Sequence, residues 1–152
     1  MALKGDRHEL QVDMHFFMNE AATRGGIACV STGGSGASMD NSNAVCTYKA
    51  NSSGGKPLGM LLQDMVSIDQ TRQHINFHKD EVVLGSKVAL GRKGYWVTDQ
   101  VAAGVTVAAG EKAYLASSGT VHNVQSSTGG AVAMPEVGQF LSAKDQDGYC
   151  TL

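Results

Sequence analysis

The sequence predicts an all-β fold, a small β-barrel or sandwich with short strands, long Gly/Ser-rich loops and an extended N-terminal segment. Three observations predict it. Apolar runs are short, and turn signals separate them every 8–12 residues or so, the spacing of sandwiches and barrels. Glycine is abundant at 19 residues against 2 prolines, which supplies many positions able to turn. No series of helical patterns of roughly 10–15 residues lies between the strands, as an α/β fold would require. At 152 residues the chain suits one domain with a real core.

Residues 1–26 read as an N-terminal segment and 27–152 as the β-rich domain. In the first, Leu10, Val12, Met14 and Phe16 alternate like a strand. Leu10, Met14, Phe17 and Ala21 also fit one face of a helix, with Asp6 and Glu9 as a capping box and Gly25 as its stop. An extended arm or first strand is the favoured reading, with the helix as its alternative. Residues 31–56 are rich in Gly, Ser and Asn, and only Ala44 to Tyr48 could form a strand there. Long loops of this kind either bind something or move.

Apolar stretches then follow in quick succession. Met60, Leu61 and Leu62 run on to Met65, Val66 and Ile68, and Ile75 and Phe77 alternate with polar neighbours. Val82, Val83 and Leu84 reach a turn at Gly85-Ser86-Lys87, after which Val88, Ala89 and Leu90 resume. Gly91-Arg92-Lys93-Gly94 reads as another turn, followed by Tyr95, Trp96 and Val97. Val101, Val105 and Val107 continue the pattern; Ala113 to Leu115 and Val121 flank a turn at Ser117-Ser118-Gly119. A polar tract from Gln125 to Gly130 precedes the closing stretch VGQFLSAKDQDGYCTL. Its Asp145-Gln146-Asp147-Gly148 could open a calcium loop, but no Glu follows at the sixth position after the glycine. Asp-Gly between apolar runs is a hairpin signal, so a tight turn between two strands is expected.

Charge and composition exclude several function classes. The net charge of −2 carries no footprint for nucleic acid or an anionic membrane. No apolar run approaches the roughly 20 residues of a membrane span, and charges in MALKGDRHELQVD stand where a signal peptide needs apolar residues. Three cysteines, Cys29, Cys46 and Cys150, make a poor disulfide framework and are expected as buried thiols in a protein made in a reducing cytoplasm.

No catalytic, metal or cofactor site is expected. Gly33-Gly34-Ser35-Gly36-Ala37 lacks the last glycine of a nucleophile elbow. Gly55-Lys56 is followed by Pro57 and preceded by Ala50 where a phosphate loop needs Gly. His74 and His78 share a face, with Asp80 and Glu81 nearby, yet no third ligand has zinc-like spacing. Pairs such as Cys29 or Cys150 with His122 have no local support. Asn51-Ser52-Ser53 matches a glycosylation acceptor that serves only on a secretory route.

Several stretches resemble the capsid decoration (cement) proteins of tailed bacteriophages. They are MALKGDRHELQVDMHFFMNEAATRGGI, the block from Gly59 to Thr98 centred on QTRQHINFHKDEVVLGSKVAL, the segment Ala109 to Gly119, and the closing VGQFLSAKDQDGYCTL. The resemblance covers most of the chain, through turn and strand signatures. It implies a structural, non-enzymatic virion protein on the capsid exterior, made in the bacterial host cytoplasm. Its implied partners are the major capsid protein and itself, as a homotrimer, without nucleic acid, membrane or cofactor. Contacts with the capsid or a neighbouring subunit are expected at Arg7, Leu10, Val12, Met14, Phe16, Phe17 and Trp96. Another phage component (tail, fibre or head-completion protein) is the alternative, and a small hydrolase a further one.

Overall fold

The computed structural model describes residues 2–5, 7–31, 44–64, 80–126 and 133–152. Strands dominate these residues: β1 (His8–Asp13), β2 (Phe17–Met18), β3 (Ala22–Thr23), β4 (Ile27–Val30), β5 (Val45–Thr47), β6 (Pro57–Asp64), β7 (Glu81–Val82), β8 (Val88–Tyr95), β9 (Val97–Thr98), β10 (Lys112–Leu115), β11 (Val121–His122), β12 (Glu136–Gln139) and β13 (Cys150–Thr151). The fold is all-β. Six strands form one sheet in the order β1-β8-β6-β4-β5-β2, and three more form a second, β11-β10-β12. The pairs β13-β9 and β3-β7 complete the ladders. The sheets do not close into a barrel. All strand pairs are antiparallel except β2 with β5.

The continuous apolar runs explain how the large sheet is buried. Side chains alternate between faces along a strand, so an unbroken run such as Met60-Leu61-Leu62 needs cover on both sides. One core cluster takes Ile27, Cys29, Met60, Leu62 and Ala89 together with Ala113, Leu115, Val121 and Phe140 from beyond the sheet. The opposite cluster takes Ala28, Leu61, Val88 and Leu90 with Met18, Cys46 and Val82. The three-stranded sheet therefore packs on one face of the six-stranded sheet.

The structure departs from the sequence reading at two turns. Gly91 to Gly94 is no turn, because β8 runs unbroken from Val88 to Tyr95. Its glycines serve close approaches instead: a Cβ on Gly91 would lie 2.4 Å from Cζ2 of Trp96. At the other end, Asp145 to Gly148 does turn tightly, with Gly148 at φ 88° and its N–H donating to the Asp145 carbonyl (3.1 Å). The strand after it, however, pairs with β9 (Cys150 opposite Thr98, Thr151 opposite Val97) rather than closing a two-strand hairpin with β12. Two backbone bonds join the arms of the turn directly, Leu141 N–H to the Thr151 carbonyl and Asp145 N–H to the Tyr149 carbonyl (both 2.8 Å).

The N-terminal segment is woven into the same architecture. β1 pairs with β8, β2 with β5 and β3 with β7. The helical alternative for Leu10 to Ala21 does not hold, since Leu10 to Asp13 lie in β1 and Phe17 and Met18 in β2. Thr98, fully buried, stands where segment and domain meet, its hydroxyl 2.7 Å from the Gly25 carbonyl and 3.1 Å from that of Ala2. Arg24 adds a largely buried ion pair to Asp80 (2.9 Å).

Candidate functional site

Among the described residues β1 lies at the outer edge of the six-stranded sheet, bonded only to β8. An edge strand offers a row of backbone donors and acceptors to any extended partner. Its apolar side chains are also uncovered: Leu10 is 70% exposed, Met14 just beyond the strand 51%, and Val12 39%. Charged residues frame them. Arg7 pairs with Glu9 (2.6 Å), and Asp13 receives both Arg92 (3.0 Å) and His15 Nδ1 (2.6 Å). Partial burial pushes the Asp13 carboxyl upward, but the hydrogen bonds from His15 and the Arg92 charge outweigh it and hold the group below its ordinary range. Gln11 to His15 with Lys87 and Arg92 enclose a shallow cleft of about 410 Å³.

The remaining expected contact residues fall elsewhere. Phe16 is half-buried and packs against the second core cluster, and Phe17 is half-buried in β2 opposite Val45. Trp96 belongs to the first core cluster, with 7% of its surface exposed. Leu10, Val12 and Met14 are thus exposed at this edge, while Phe16, Phe17 and Trp96 are held by the domain's own packing.

Trp96 nonetheless borders a second surface that sequence reasoning did not find. A cleft of about 370 Å³ opens between the large sheet and β12, walled by Ile27, Met60, Val137, Leu141 and Leu152 beside Trp96. Lys93, Glu136 and Gln139 bring polar groups to it. The indole Nε1 of Trp96 is buried and has no hydrogen-bond partner, the only such side-chain atom among the described residues. Buried polar groups are nearly always satisfied, so an orphan calls for an explanation. No local sequence signal marks this cleft, because β6, β8 and β12 reach it from distant parts of the chain.

The groups weighed for catalysis or metal binding are engaged elsewhere or lie outside the described residues. Cys29, Cys46 and Cys150 are free, buried thiols. Burial raises all three pKa values, that of Cys46 to about 12 and that of Cys150 to about 11, so none is an activated nucleophile in this state. His122 Nδ1 accepts the Val124 N–H (2.9 Å), and among the described residues no hydrogen bond joins it to a cysteine. Asp145 accepts N–H bonds from Asp147 (3.0 Å) and Tyr149 (2.8 Å) and the Lys4 ammonium (3.1 Å). These contacts hold its pKa below the ordinary value, with the Tyr149 N–H contributing most. His74, His78 and the Ser31–Ser38 glycine stretch beyond Ser31 lie outside the described residues. Among those described, no three His, Cys, Asp or Glu side chains cluster as a metal site, and no helix is long and apolar enough to cross a membrane.

Neither protein-family models nor curated proteins match this chain.

Proposed function

We propose that the protein is a structural virion component that binds the outer surface of a bacteriophage head and stabilises the capsid lattice. The observation that carries the reading is β1: among the described residues an edge strand paired on one side, with Leu10, Val12 and Met14 exposed. The stretches that resemble decoration proteins, β1 among them, supply the choice of partner. A module that binds only the assembled lattice shifts the equilibrium towards that lattice, by mass action. As a homotrimer it would join three weak footprints into one tight attachment. β1 would meet the major capsid protein, or a neighbouring copy, by strand addition.

The test mixes the purified protein with expanded empty phage capsids and with unexpanded precursors, sediments both, and counts bound copies. Saturable binding to the expanded shell, in multiples of three per symmetry axis, is the expected result. Binding to neither shell overturns the proposal and moves the search to the tail and head-completion assemblies.

A further inference from the structure

We propose that the Trp96 cleft is a second, separate interaction site, which takes an extended peptide segment of a partner protein bearing alternating apolar and acidic residues. This does not rest on the phage reading, since it follows from the chemistry of the cleft.

Three observations each specify one property of the occupant. First, Glu136, Val137, Gly138 and Gln139 all line the cleft. Consecutive residues of a strand point to opposite faces, so four in a row can border one space only along the strand's edge. Among the described residues, β12 has β10 on one side and no strand on the other. An occupant with a backbone of its own can pair with that free edge.

Second, the charged side chain left without an ion pair at the cleft is a cation. The Trp96 indole N–H is without an acceptor. Lys93 makes no ion pair among the described residues, whereas Arg92 is tied to Asp13 (3.0 Å), Glu136 to Lys112 (2.9 Å) and the Gln139 amide nitrogen to the Gly110 carbonyl (2.9 Å). The unpaired Lys93 ammonium calls for a carboxylate. Third, the walls are apolar, and Leu141 among them stays 53% exposed. Apolar side chains of the occupant would cover it.

The strand edge separates a peptide from a small apolar acid, which would satisfy only the second and third properties. Gly91 makes the site possible. Any larger residue there would collide with the Trp96 ring and push it from its place.

The chain has one tryptophan, so a single indole N–H resonance reports on the cleft. The experiment titrates ¹⁵N-labelled protein with the acetylated, amidated hexapeptide Glu-Val-Glu-Leu-Glu-Val. The expected result is a saturable shift of the indole resonance together with the amides of residues 136–139. Exchanging the peptide glutamates for lysines weakens binding about ten-fold or more, and the protein variant Lys93→Glu recovers the lysine peptide. Because Lys93 is exposed, that variant leaves the fold intact, which its amide spectrum verifies. Three results would each overturn the proposal: no indole shift at millimolar peptide, equal binding of octanoate or of the peptide N-methylated on alternate residues, or no recovery on charge exchange. Capsid binding is not needed in any arm, so this site and the β1 surface succeed or fail separately.

Discussion

Gly94→Ala tests whether β1 is a detachable edge strand or an integral part of the core. Gly94 has φ 144°, and a Cβ there would lie 2.0 Å from the His8 carbonyl oxygen and 3.0 Å from its carbon. Both atoms are backbone, so no rotamer change relieves the contact, and β1 must move away. Two terms set the magnitude. An L-residue in that backbone region costs about 1–3 kcal/mol. The penalty as a whole is capped by the free energy of undocking β1, since beyond that point the strand leaves and the clash ends.

That cap is low. The strand's side chains are almost all exposed, so little apolar area is lost when it departs. Its backbone hydrogen bonds contribute about 0.5–1.5 kcal/mol each, and the entropy regained by freed residues offsets much of that. The expected loss is therefore about 1–3 kcal/mol, a fall in Tm of roughly 3–10 °C for a chain of this size. Thermal unfolding gives the total, and hydrogen exchange locates it: protection should vanish in residues 8–13 and persist between β6 and β8. Gly148→Ala is the control, with φ 88° and nothing within 4 Å of the added carbon. It carries backbone strain alone and should leave β1 protected. Unchanged protection of residues 8–13 in Gly94→Ala would refute the reasoning, and so would a loss above about 4 kcal/mol, which only core disruption produces.

Leu10→Asp should leave stability within about 0.5 kcal/mol, because the side chain is already solvated, yet abolish sedimentation with expanded capsids. Phe140→Ala removes the largest fully buried side chain among the described residues and should cost about 3–5 kcal/mol in denaturant unfolding. A water-soluble disulfide reagent at neutral pH should label none of the three cysteines until the protein is unfolded. The same thiols bear on alkaline stability. Their folded pKa values exceed the ordinary 9.0, so the stabilisation is complete below pH 9 and is lost as pH rises towards about 11 for Cys150 and about 12 for Cys46. Each thiol ionising only in the unfolded chain steepens the decline by about 1.4 kcal/mol per pH unit, measurable from denaturant midpoints between pH 8 and 10.5.

Strand content, the buried thiols and the turn at Gly148 were legible in the sequence because each depends on neighbours a few residues away. Met60-Leu61-Leu62 and Val88-Ala89-Leu90 even announce burial on both faces, since an unbroken apolar run cannot satisfy a half-solvated sheet. Alternation at Leu10, Val12 and Met14 suggested a strand, but it could not tell that these side chains stay exposed. Only the order of strands in the sheet decides that β1 comes last.

Glycine was the main source of error. Gly91 and Gly94 look like turn residues in one dimension, and in three they make room for the Trp96 ring and the His8 carbonyl. The same holds for the pairing of β13 with β9 and for the cleft beside Trp96, whose parts lie far apart along the chain. Local sequence determined which segments would be extended and where several of them would turn. Tertiary structure decided which edges stay open and where a polar atom is left unpaired, because those depend on which distant strands come to lie side by side.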